Sequence, residues 1–413
     1  MAQNRQIFAQ LSIGKQELSR FSERDILRRI TDANTRANLG AILLRPSKEK
    51  GINNAVLDHC RTLGLETYLW FPVLANAYRK PNADELIENA WGGRGHGQSG
   101  LWKGIDQGEE SFLFACPRSP SYINDIENDC RRQLEQYDGL FLDRLRYPSP
   151  ANGIETLFSC FCPRCLEHNP EASYWRENAK HFRRFIEKAP HDTLPYWPEF
   201  INLLKQHGFD DFLQERKHNL MDLARRFTRL AVSHNKKIAF DLITPTLSIF
   251  VGQDYQSLGE LADWLKPVIY CRAHEPTSLS LELASLVRGF SQWSDYRFME
   301  KTVLSYYRES LNMPEIPTSL EELEKNGLAI SAAQREYTLS KQTRMTFPGF
   351  ESMCHPEYDL KMTQDDIAKY VDAFADASTL IPSWNILYIP DSYLEFMAPR
   401  EMPSNNNNNN CAS

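Results

Sequence analysis

With 413 residues, 42% of them hydrophobic and 11% aromatic, the chain is long enough for one large α/β domain or two ordinary ones. A net charge of −7 with no long basic run argues against nucleic acid as the main partner. The opening "MAQNRQIFAQLSIGKQELSR" has no basic region followed by an apolar stretch, and no window approaches about 18 apolar residues, so neither a secretory signal nor a membrane span is expected.

In chain order, eight short β-rich runs stand out at 7–13, 40–45, 66–74, 139–143, 237–242, 264–270, 343–347 and 379–384. Each is apolar on both faces, as a parallel strand covered by helices requires. Helical periodicity lies between most of them, at 23–33, 54–63, 121–136, 212–233, 320–340 and 363–374. Eight alternating β/α units predict a (β/α)8 barrel filling residues 1–400 as a single catalytic domain. A doubly wound sheet ranks second, because it needs a glycine-rich phosphate turn after the first strand and "LSIGKQELS" offers one glycine. The Asn-rich tail, 401–413, is low-complexity and expected to be disordered.

Two insertions, about 76–111 and 146–211, follow the third and fourth strands. They leave the C-terminal ends of the strands, the face on which a barrel enzyme builds its site. The first carries "WGGRGHGQSGLWKG", which lacks the Lys-Ser/Thr ending of a nucleotide loop; the second carries "CFCPRC".

Three acids come off strand ends. Asp143 closes the fourth strand in "YDGLFLDRLRYPSP", Asp241 ends the fifth in "KKIAFDLITP", and Glu351 lies just beyond the seventh in "TRMTFPGFESM". A carboxylate has no place deep in a packed barrel, but at the rim it can face a cleft. Glycosidic hydrolysis needs two carboxyl groups across the bond, one protonated and one ionised; Asp143 and Glu351 are the expected pair, with Asp241 a third acid that binds a hydroxyl or replaces one of the two. The competing reading of Asp143 is a structural ion pair with Arg144 or Arg146. Trp70, Trp91, Trp102 and Trp384 belong to the same rim or its insertions, and indoles pack against the C–H face of a sugar; ordinary aromatic packing is the alternative for each. Arg144, Arg146 and Tyr270 are further candidates for orienting sugar hydroxyls or carboxylates.

Cys160, Cys162 and Cys165 form C-x-C-x2-C. A closed tetrahedral zinc site needs a fourth thiolate, for which Cys116 is the best placed and Cys130, in mid-helix, a poorer choice. Four thiolates leave no open position, so such an ion would pin the long loop beside Asp143; a set of reduced, half-buried thiols is the plain alternative. Nine cysteines at uneven spacing without an export signal point to a reduced cytoplasmic protein.

The stretches "ACPRSP", "YDGLFLDRLRYPSP" and "CFCPRC", with "FDLITPTLSIFVGQDY", "ADWLKPVIYCRA" and "STLIPSWNILYIP", resemble a group of glycoside hydrolase barrels of unassigned substrate. The cysteines are also similar to the zinc site of family-42 β-galactosidases. That resemblance implies Cys116, Cys160, Cys162 and Cys165 as zinc ligands, and Glu351 in the place of the strand-seven nucleophile. The family and its clan carry Asn-Glu at the end of strand four where this chain has Leu142-Asp143, whereas amylase-like barrels use an Asp there as nucleophile.

The expected function is cleavage of a small glycoside or oligosaccharide by a carboxylate pair, with a structural zinc, no organic cofactor and no nucleic-acid or membrane partner. Two alternatives stand beside it. One is a barrel that binds carbohydrate without turnover. The other is a different barrel enzyme, a lyase, isomerase or metal-dependent hydrolase, drawing on His96, His274 and His355.

Overall fold

The computed structural model describes residues 5–95, 113–188, 197–272, 277–293, 304–305, 308, 317–341, 345–355 and 360–398. Eight parallel strands close into a barrel: β1 (Gln6–Ser12), β2 (Leu39–Arg45), β3 (Glu66–Pro72), β4 (Gly139–Asp143), β5 (Lys237–Ile243), β6 (Trp264–Val268), β7 (Gly349–Glu351) and β10 (Thr379–Ser383), which pairs back onto β1. The short strands β8 (Cys354–His355) and β9 (Leu360–Lys361) form a separate antiparallel ribbon. This is the (β/α)8 architecture expected from the alternation of elements.

Each strand is apolar on both faces for two reasons. Outward residues such as Ile7, Ala9, Leu11, Ile42, Leu44, Leu140 and Leu142 join the core shared with the helices. Inward residues form a second, separate cluster of Phe8, Ala41, Leu43, Tyr68, Trp70, Phe141, Ala239, Trp264, Phe347 and Ile381. Trp264 is the hub of this plug, with its ring centroid 5.3–5.6 Å from those of Phe347, Phe141, Tyr68 and Phe8. Removing such a side chain costs about 3–5 kcal/mol. The plug closes the barrel below, so any ligand must approach from the C-terminal rim.

The helices follow their capping signals. Ser22 Oγ accepts from Asp25 N, Asp25 Oδ2 accepts from Ser22 N, and the helix Glu23–Ala37 buries the stripe Ile26, Ile30, Ala33 and Ala37. The single helix expected over 320–340 is two, Leu320–Asn326 and Ser331–Ser340. Gly327 breaks it with φ +66°, and a Cβ there would meet Cys271 O at 2.7 Å, so the chain turns where only glycine fits.

The seventh strand lies later than its apolar run indicates. The apolar run spans 343–347, yet the paired strand is Gly349–Glu351, with Thr346 contributing only an isolated bridge to Leu265. Residues 342–344 lie outside the described residues. Phe347 goes into the plug instead, and Glu351 is the last residue of β7 itself. The Asn-rich tail also lies outside the described residues.

Candidate active site and cysteine centre

Above the aromatic plug the interior turns polar. Lys266, on β6 two residues beyond Trp264, points inward and is 1% exposed. Its Nζ donates to Gln10 Oε1 at 3.0 Å and to Tyr270 Oη at 3.1 Å, and stands 3.3 Å from Asp241 Oδ1. Gly349 makes room for it: a Cβ at that position would meet Lys266 Cε at 2.4 Å. Burial pulls the ammonium down, but Asp241 and Tyr270 outweigh it and the net shift is upward, so Lys266 is a fixed cation and not a free amine.

Asp241 is the register partner of Lys266. Burial, reinforced by the charge of Asp143, pushes its carboxyl up to about 7 in spite of Lys266. Asp143 ends the neighbouring strand β4, one step past the pair Leu142 and Phe240. Adjacent strands are about 4.8 Å apart, so the two acids stand side by side. Asp143 Oδ2 accepts from Trp70 Nε1 at 3.0 Å, and Arg144 Nε lies 3.7 Å away. Both side chains keep a solvent-facing fraction, 14% for Asp143 and 9% for Asp241.

Glu351 differs. It is fully enclosed and accepts from Cys271 N at 3.2 Å and Arg272 N at 2.5 Å, directly after β6. Burial raises its carboxyl to about 7, against the backbone hydrogen bond from Arg272. Tyr370 Oη completes this corner by accepting from Cys271 N at 3.1 Å.

The aromatic residues divide in the same way. Trp70 bonds Asp143, and Trp384, just past β10 and half-buried, packs 6.4 Å from the Tyr270 ring. Burial holds the Tyr270 phenol up at about 12, so it is a hydroxyl donor. Trp91 instead belongs to the insertion, where it meets Phe158, Trp293 and the Arg183 guanidinium. Arg146 is buried against Phe114, donates Nη1 to Tyr147 O at 3.1 Å, and is drawn down to about 10 by burial, partly offset by Glu282. Trp102, His96 and His274 lie outside the described residues, and His355 is described only in its backbone.

The structure therefore gathers Asp143, Asp241, Trp70, Tyr270, Trp384 and Arg144 around one rim. It adds Lys266 and Gln10, which the motif reading missed. The signal for Lys266 is a lone cation in the otherwise apolar run "WLKPVIY", in phase with Trp264.

Beside this rim the two insertions are joined. Phe161 N donates to Glu88 O at 2.8 Å and Ala90 N to Phe158 O at 3.0 Å. Cys116, between the first insertion and the helix Pro120–Leu134, meets Cys160, Cys162 and Cys165 from the second insertion; all four are buried, with sulfurs within 4.8 Å of one another. Cys116 Sγ lies 3.6 Å from both Cys162 and Cys165. Four sulfurs around a zinc ion at about 2.3 Å stand about 3.8 Å apart at the corners of a tetrahedron, so this cluster could hold a metal ion. Cys130 is buried in the helix Pro120–Leu134, apart from the cluster. Among the described residues all eight cysteines are free, and no helix is long and apolar enough to cross a membrane.

No protein-family model matches the chain, and no curated protein matches its sequence, so the family-42 likeness of the cysteines rests on the motif alone. Among solved structures, the catalytic domain of β-amylase from Paenibacillus polymyxa aligns over 97% of this chain and 96% of its own, at 10% identity and a TM-score of 0.44. The C-terminal domain of a Desulfitobacterium hafniense DCB-2 protein described as a chitinase aligns over 95% and 97%, at 9% identity and 0.43. A class V chitinase from Pseudomonas fluorescens Pf-5 aligns over 95% and 98%, at 8% identity and 0.39. The barrel itself is shown by the strand pairing.

Proposed function

We propose that the chain is a glycoside hydrolase whose carboxyl pair is Asp143 with Asp241, acting on a small glycoside or oligosaccharide. The observation that carries this is the pairing itself. Two acids on adjacent strand ends share one solvent-facing rim, and one of them has its carboxyl pushed up to about 7. Pairs of carboxyl groups whose environments push their proton affinities apart mark acid and base roles.

In this reading protonated Asp241 gives its proton to the glycosidic oxygen as the C–O bond breaks, so the leaving group departs as a neutral alcohol. Asp143 faces the developing positive charge at the sugar carbon, oriented by Trp70 Nε1 and Arg144. Water then supplies the hydroxyl to that carbon and returns a proton to the pair. Lys266 holds Asp241 in place, and Gln10 and Tyr270 fix Lys266. Trp384 and Tyr270 supply an aromatic wall for the sugar face. Glu351 has its carboxylate turned to the backbone of Cys271 and Arg272 and acts as a positioning residue for the loop after β6.

The four thiolates would hold zinc, which would tie the second insertion to the segment carrying Cys116 and serve structure, not chemistry. Free thiols throughout the described residues fit a reducing, cytoplasmic setting.

The test is Asp143→Asn assayed on a panel of aryl glycosides. Turnover should fall by about 10²–10⁴-fold with the fold retained. Full activity in that variant ends the assignment.

A further inference from the structure

Arg216 lies in the helix Asp210–Ser233 and is 2% exposed. Its Nη1 donates to Leu157 O, and its Cζ stands 4.3 Å over the Tyr147 ring and 5.4 Å from that of Phe212. Nε and Nη2 are buried with no hydrogen-bond acceptor. Among the described residues, no carboxylate contributes to its electrostatic surroundings; Tyr147 and Cys160 are the groups that do. A guanidinium enclosed without a counter-charge costs several kcal/mol, so a compensating charge should lie close by.

Two neighbours of the Arg216 guanidinium lead to the cysteines. Leu157 stands three residues before Cys160, and Phe212, one turn earlier in the same helix, stacks on Phe161 with centroids 5.5 Å apart and planes at 15°. Tyr147, beneath the guanidinium, accepts from Asn219 Nδ2 at 3.1 Å. The face formed by Phe212 and Arg216 is thus laid against the segment that carries Cys160 and Cys162.

We infer that Arg216 is the counter-charge of the cysteine centre. Four thiolates around a divalent ion leave a net charge of about −2, and this enclosed guanidinium offsets half of it. The inference rests on the zinc reading above, and it explains why a cation is sealed where no acid meets it. Arg216 is a positioning residue for the centre and takes no part in turnover.

The experiment uses the full chain loaded with zinc, measuring zinc per chain by elemental analysis and affinity by competition with a chromophoric chelator. Circular dichroism monitors the fold. Wild type should hold one zinc, Arg216→Met should bind it about 10–100-fold more weakly, and Arg216→Lys should stay within about tenfold of wild type. A folded Arg216→Met chain that binds zinc as tightly as wild type overturns the inference and leaves the zinc reading intact. If Arg216→Met does not fold, Arg216→Lys decides: retention within about tenfold supports the inference and complete loss overturns it. A folded wild type that takes no zinc removes the zinc reading, and this inference with it.

Discussion

Lys266 and Asp241 are register partners on neighbouring strands, and Lys266 Nζ stands 3.3 Å from Asp241 Oδ1 inside the barrel. A cation and an acid that are both nearly enclosed depend on each other. Removing one leaves the other as an uncompensated buried charge, at a cost of about 3–5 kcal/mol. Lys266→Met is therefore expected to lower the unfolding free energy by that margin at a pH where Asp241 is ionised, read by urea denaturation. It should also raise the proton affinity of Asp241 further, moving the alkaline limb of the pH–rate profile upward. An unchanged limb would detach Lys266 from the chemistry.

Gly349→Ala tests the packing that admits the lysine. The added Cβ meets Lys266 Cε at 2.4 Å, so either the lysine or β7 must shift. The expected loss is about 1–3 kcal/mol, read by chemical denaturation, with a fall in turnover.

Stability should decline as pH rises through neutrality. Asp241 and Glu351 are each raised to about 7, so the native state binds these protons more tightly than the unfolded chain does. Their contribution is fully present below the ordinary carboxyl range and is lost as pH passes the folded value. From pH 6.5 to pH 8 each group should cost about 1 kcal/mol. His207, lowered by burial, acts in the opposite sense, but below that window. Urea midpoints across the range check the slope, and Asp241→Asn should remove about half of it.

Glu351→Gln separates position from chemistry. An amide oxygen can keep one of the two backbone donors, Cys271 N and Arg272 N, while its NH2 meets the other. The expected result is about 1–3 kcal/mol of lost stability with turnover reduced far less than in Asp143→Asn. A folded Glu351→Gln chain as inactive as Asp143→Asn would return Glu351 to the catalytic pair.

The barrel was legible because each strand is doubly apolar and the helices between them keep their period. Seven of the eight runs sit within two residues or so of their observed strands. The seventh slipped because Phe347 reads as strand but serves the plug, while Gly349, an unlikely strand former by composition, is required by the lysine opposite. Motif spacing brought Cys116 to Cys160, Cys162 and Cys165, since thiols at that spacing have few other uses. The polar floor of the site was hidden. One lysine inside an apolar run looks like a strand end, and Arg216 looks like any other arginine on an amphipathic helix until its burial is known. Acids at strand ends were easy to find, but their division into a rim pair and a fully enclosed third depends on which backbone N–H groups face them.

The most direct test of the account is the leaving-group dependence of Asp241→Asn. A dinitrophenyl glycoside departs without needing a proton, whereas an alkyl glycoside cannot depart readily without one. If Asp241 is the proton donor, the variant should lose about 10²–10⁴-fold on the alkyl substrate and stay within about tenfold of wild type on the dinitrophenyl one. Equal losses on both substrates, or no loss on either, would contradict it.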